Sequence, residues 1–350
     1  MFDALLWRWV PLAAALLLNG CSTLDYYSHL AGGQLHLLQA REPIAELLEN
    51  PTADPELKQR LALAQQARDF ASAQLSLPDN DSYRLYADIQ RPFVVWNVFA
   101  TPEFSLSPEL HCFPIAGCVA YRGFYSQSRA RGSAALLKQQ GLDTYLGGVE
   151  AYSTLGWFDD PILNTMLRWS DERLVAVIFH ELAHQQLYVA NDTAFNESFA
   201  SFVEREGLSQ WRIKQGLPPN DPQGEQQREQ FIALVLASRT RLQQLYASDL
   251  PPAQMRSGKQ AEIARLRAEY HALSKREWGG NGRYDDWINA PINNAKLLPF
   301  GLYDQWVPAF AALFEQVERD WPRFYQRVAA LGELPERERH QALMDLSAGS

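Results

Sequence analysis

Apolar positions recur at helical spacing early in the chain, at Leu35, Leu37 and Leu38 and again at Ile44, Leu47 and Leu48. This spacing predicts helices across 22–76, with Pro51 dividing two runs. Between 83 and 125 the pattern changes. Aromatic and β-branched residues dominate Phe93 to Phe99 and Val119 to Tyr125, which predicts strands turning at Pro102, Pro108 and Gly117. A short helix near 129–140, a strand from Asp143 to Leu155 and helices across 161–206 follow. Segments 222–247 and 257–276 predict a long helical hairpin, with Asp249-Leu250-Pro251-Pro252 at its turn. The last segment, 298–346, is helical with Gly and Pro breaks. Helices around a modest sheet place the chain in the α+β class, mainly helical. No repeat or low-complexity linker divides it.

The N-terminus departs from this pattern. Val10 to Leu18 is an apolar run too short for a bilayer, which needs roughly 20 residues, and it fits the core of an export signal. Leu18-Asn19-Gly20-Cys21 resembles a bacterial lipobox. That resemblance implies removal of residues 1–20, a lipid on Cys21, and a mature chain of 21–350 forming one domain. Ser22 after the cysteine favours the outer membrane, so the expected location is its periplasmic face. The other two cysteines, Cys112 and Cys118, then meet an oxidising compartment. A disulfide is expected between them, contributing roughly 2 kcal/mol by closing a short loop.

The chain has 350 residues, of which 47% are hydrophobic and 21% charged, with a net charge of −9. With no long basic run, this balance argues against nucleic acid as a partner. It changes little else.

The chemistry concentrates in His180-Glu181-Leu182-Ala183-His184, directly after the apolar run Val175 to Phe179. Positions i and i+4 of a helix lie about 40° apart, so both imidazoles can face one ion. Glu181 between them suits the general base of a metallopeptidase, and the pattern points to Zn2+. Catalytic zinc takes a third protein ligand. Asn196-Glu197 resembles the segment with which gluzincins supply it, which makes Glu197 the candidate. Asp192 is the runner-up. Glu204 lies about two helical turns beyond Glu197 on nearly the same face, where it can accept a hydrogen bond from a ligand histidine.

Beyond this motif the chain resembles a family of bacterial lipoproteins described as zinc aminopeptidases of the gluzincin group. The likeness is carried by Cys112 to Cys118, Ala151 to Pro161, the histidine segment, and Asn293-Asn294-Ala295 with Tyr303. It implies a zincin-like metallopeptidase fold and a peptide substrate. Gly147-Gly148-Val149-Glu150-Ala151 is similar to the strand Gly-x-Met-Glu-Asn of aminopeptidase-N-like enzymes, with Val and Ala replacing Met and Asn. By that likeness Glu150 holds the substrate's free amine. Gly148 would let a peptide backbone approach, and Tyr152 shares a strand face with Glu150. Tyr303 is the expected oxyanion donor, with Tyr152, Tyr270 and Tyr284 as alternatives. Two other functions compete: an envelope endopeptidase, and a non-catalytic, zinc-stabilised binding or assembly factor. Glu181 argues against the second, because a structural metal site has no use for a base.

Overall fold

The computed structural model describes residues 23–113, 117–151, 153–219, 221–300 and 304–348. Cys21, Tyr152 and Tyr303 lie outside them. The chain opens with α1 over 23–39, then β1 (Arg41–Pro43), α2 (Ile44–Glu49) and α3 (Pro55–Leu75). Pro51 falls between α2 and α3 as expected. Asp54 caps α3 by accepting from the Glu56 amide, with Pro55 in the first turn.

The aromatic stretch forms β2 (Leu85–Ala87), β3 (Val95–Thr101), β4 (His111–Phe113), β5 (Gly117–Val119) and β6 (Tyr121–Phe124). After α4 (Gln127–Gln139) come β7 (Asp143–Val149) and β8 (Ile162–Leu163). Among the described residues these strands make three small sheets rather than one. Their orders are β1-β2-β8, β6-β3-β7 and the hairpin β4-β5. The strand expected to reach Leu155 ends at Val149. The next residue is tied sideways, its carbonyl accepting from Thr165 and its carboxylate from Trp169. The helices expected from 161 start later, because Ile162 and Leu163 pair in parallel with Tyr86 and Ala87.

The rest is helical: α5 (Asp171–Gln186), α6 (Thr193–Lys214), α7 (Pro222–Tyr246), α8 (Pro252–Glu277), two short helices α9 (Asp285–Asn289) and α10 (Asn294–Leu297), then α11 (Val307–Gln316), α12 (Trp321–Gly332) and α13 (Glu336–Ala348). The α7–α8 pair is the expected hairpin. It has its own core around Phe231, Val235, Leu266 and Tyr270.

The sheet β6-β3-β7 divides the region near the site. One face, with Trp96, Val98, Phe124 and Leu146, packs on α1 and α4. The other presents Phe99, Tyr121 and Tyr145 toward Ala295 and Leu298. The main core surrounds α5 and α6, with Phe70, Phe179, Phe195, Phe199, Phe310 and Phe324 buried. Burying each such ring contributes roughly 1.5–3 kcal/mol, so this core fixes the two site helices relative to each other.

Candidate metal centre

Helix α5 starts at a Ser170 cap, whose hydroxyl accepts from the Arg173 amide, with Asp171 and Glu172 in the first turn where the helix dipole favours acids. Its apolar residues Leu174, Val175, Ile178, Phe179, Leu182 and Ala183 are buried, and so are His180, Glu181 and His184. The polar group is therefore held inside the protein rather than on a solvated helix face. Helix α6 returns against α5 through a closed turn. The Asn196 side chain donates to the Val189 carbonyl at 2.7 Å and accepts from the Val189 amide at 2.8 Å. Asn196 thus shapes the return that brings Glu197 back to the histidines.

The three expected ligands converge. One ligand atom each from His180, His184 and Glu197 lies within 4.8 Å of the others, a group able to hold a metal ion. Glu197 Oε2 stands 3.4 Å from His180 Nε2 and 3.6 Å from His184 Nε2. The two Nε2 atoms face each other at 3.2 Å. On the far side of the ring, His180 Nδ1 donates to Glu204 at 2.9 Å. That bond fixes the tautomer and leaves the Nε2 lone pair pointing at its neighbour's Nε2. Two imidazole lone pairs and a carboxylate aimed at one point are a poor set of partners for one another and a good one for a cation.

The acids around the histidines also set the local charges. Burial tends to lower the His180 pKa, but hydrogen bonds to Glu197 and Glu204 raise it well above its ordinary value. Burial works against ionised Glu197 too, yet the charge of His184 and hydrogen bonds to both histidines hold its carboxyl far below the usual range. Glu204 is lowered in the same way, burial being outweighed by its bond to His180. Glu181 is the exception. Burial pushes it up, the histidines pull it down, and Glu197 and Glu204 add to the rise. A carboxyl with a raised pKa among ionised neighbours suits proton transfer.

Other expectations meet the structure differently. Asp192 is not a ligand: it caps α6 through the Phe195 amide and binds Arg339 and His340. Tyr270 and Tyr284 belong to the hairpin core. The first donates to Asp285 at 2.8 Å, and the second stacks on Phe231 at 3.9 Å. The carboxylate of Glu150 accepts from Trp169 Nε1 at 2.8 Å and pairs with Arg173 at 3.1 Å. Gly148 does not open toward a substrate on its Cβ side: a Cβ there would meet the Phe93 ring at 2.5 Å. Cys112 and Cys118 pair across β4-β5 and are disulfide-bonded. The Cys118 amide donates to Asn191 at 2.9 Å, which ties this hairpin to the α5–α6 connection.

Two more residues lie near the site: Tyr121, missed in the sequence, and Asp160, marked there only as a fallback amine anchor after Glu150. Tyr121, on β6, feels the charges of Glu197 and Glu181, which add to burial in raising its pKa. Asp160 is buried and pushed up to about 6, by burial first and partly by Glu181. It accepts from the Thr154 amide at 2.8 Å. Neither has a local signature. Tyr121 reads as one aromatic among many, and Asp160 sits in a loop.

Among the described residues, three converging ligands with a further carboxylate beside them define a candidate metal centre of the three-ligand kind. The sequence profile of the family described as "Aminopep: Putative aminopeptidase" matches residues 25–343. The chain belongs to that family, and with it to the peptidases. Nothing among curated proteins or solved structures matches the chain.

Proposed function

We propose that the protein is a zinc-dependent aminopeptidase of gluzincin type with a zincin-like site, exported and anchored by a lipid on Cys21 at the periplasmic face of the outer membrane. The observation that carries the catalytic part is the convergence of His180, His184 and Glu197 beside Glu181. His180, His184 and Glu197 would hold the zinc, which when bound would supply a Lewis acid for the scissile carbonyl and for water. Glu181 takes a proton from the attacking water and delivers it to the leaving amine. Glu204 keeps His180 in the ligating tautomer. Tyr303 is the proposed oxyanion donor. The next residue, Asp304, is paired with Arg228 and with Arg205, the neighbour of Glu204 on α6. Glu150 is the proposed amine anchor.

Glu181→Gln keeps the shape of the side chain and removes the base. It should keep about one zinc per chain and lose hydrolysis of peptide pools. Undiminished hydrolysis would reject the mechanism, and a wild type inert on all peptides would favour a binding factor.

One observation favours the endopeptidase reading: Arg173 already neutralises Glu150. The rate ratio between a peptide and its N-acetylated form separates the two. An aminopeptidase strongly prefers the free amine, by about 10-fold or more for one charge-assisted bond, and Glu150→Ala should erase that preference. Equal rates on both forms would establish an endopeptidase. A preference surviving Glu150→Ala would move the role to Glu204 or Asp160.

A further inference from the structure

Helix α1 carries an apolar row that nothing among the described residues covers. Leu24, Tyr27, Ala31 and Leu35 follow one another at the three- and four-residue spacing that puts them on one side of a helix. All four are exposed, Leu24 at 69%, Tyr27 at 39% and Leu35 at 55%. The opposite side is docked firmly. Tyr26 is buried and donates to the Gly123 carbonyl at 2.9 Å, and His29 accepts from the Tyr125 amide at 3.1 Å. Gly33 lies against Tyr125 so closely that a Cβ there would meet its ring at 2.2 Å. The helix is therefore part of the body and not a loose tether.

We infer that this row lies in the plane of a lipid bilayer, with α1 as an interfacial helix that holds the body flat against the membrane. The inference rests on the proposed lipid at Cys21. Cys21 precedes the first described residue of α1 by two positions, so at most about 7 Å of chain separates them. The headgroup layer is itself roughly 5–8 Å deep on each side. A lipid held that close brings the first turn of α1 into the headgroups, and the apolar row then has a solvent to match.

Charge does not bar this contact. A protein of net charge −9 is repelled by anionic lipid, yet the only acid on α1, Asp25, is paired with Arg129. Past the helix, Arg41 donates to the Asp159 carbonyl at 3.0 Å. The neighbouring residues Trp157 and Phe158 are exposed at 66% and 45%, and both are residue types found at the membrane interface. Among the described residues no helix is long and apolar enough to cross a membrane.

The test uses the full processed protein, purified from membranes and reconstituted into phosphatidylethanolamine–phosphatidylglycerol vesicles. With Cys21 lipidated and Cys112 bonded to Cys118, Leu35→Cys provides a single free thiol for an environment-sensitive fluorophore. Met344→Cys, exposed on α13, serves as the reference. Vesicles carrying headgroup-level spin labels should reduce emission at position 35 roughly twofold, with a blue shift, and leave position 344 unchanged. Lipid on Cys21 together with a water-like, unquenched probe at 35 overturns the inference alone. Mass spectrometry showing no lipid on Cys21 overturns the anchor and this inference with it. A blue shift at 35 without vesicles assigns the row to another occupant, and also overturns it. That occupant is a second copy if the shift depends on concentration, and the retained segment 1–20 if the mass includes it.

Discussion

At the scale of single residues, the site depends on what stands behind each ligand. His180 has Glu204 behind it, whereas the buried Nδ1 of His184 has no hydrogen-bond partner among the described residues. Removing the acceptor should therefore cost affinity without removing a ligand. Glu204→Ala is expected to weaken zinc binding about 10- to 100-fold in a chelator competition titration. Wild-type affinity would show that Glu204 does not orient His180. Asp160 makes a second prediction, through pH. Its carboxyl rises from 3.8 to about 6 on folding, so the folded state holds that proton more tightly than the unfolded state. The group's contribution to stability is complete below about pH 4 and is lost as pH climbs to about 6, a change on the order of 3 kcal/mol. Asp160→Asn removes the buried charge. Its urea midpoint relative to wild type should be clearly better at pH 7 than at pH 4.5. The same difference at both pH values would rule the buried charge out.

At the scale of elements, the α5–α6 pair is set by close approach. A Cβ at Gly207 would meet Leu75 at 2.7 Å and Phe179 at 2.9 Å. Propensity alone favours alanine there by about 1 kcal/mol, but overpacking a filled core costs typically 1–3 kcal/mol. Packing should win. Gly207→Ala is expected to lower stability, and by pushing α6 off α5 to weaken zinc binding as well. A stabilised variant in urea denaturation would mean that Leu75 and Phe179 yield easily. The elements themselves were unevenly legible. The α7–α8 hairpin could be read directly, since long helical runs flank a Pro-Pro turn. The strands β3, β6 and β7 were also legible, but the sheet β1-β2-β8 was not, because its strands are only two or three residues each and exist through pairing with partners distant in sequence. A short apolar or mixed run carries no periodicity by which to recognise it.

At the scale of the whole molecule, the last helix reaches back to the metal helices. Arg339 on α13 and Asp192 at the start of α6 form a buried pair at 2.8 Å. Asp192→Asn keeps the cap on α6 but leaves a buried guanidinium without its anion, and should cost about 3–5 kcal/mol. Adding Arg339→Met should restore much of that loss in urea unfolding. If the single change costs under about 1 kcal/mol, the pair does not hold the C-terminus to the site.

Sequence alone determined the features that live within a few residues of each other. The helical spacing of His180 and His184 sets both on one face, with Glu181 next to them, whatever surrounds the helix. The reach of α6 back to Glu197 follows from a short connection, and the pairing of Cys112 with Cys118 from their proximity in the chain. Tertiary structure decided whatever depends on residues far apart in sequence. It closed Gly148 under Phe93, gave Glu150 to Arg173 and Trp169, and engaged Asp192 with the C-terminal helix. It also brought Tyr121 and Asp160 toward Glu181. A carboxylate's partners and a ring's neighbours are set by packing across the fold. Local sequence pattern carries information over only a turn or a strand.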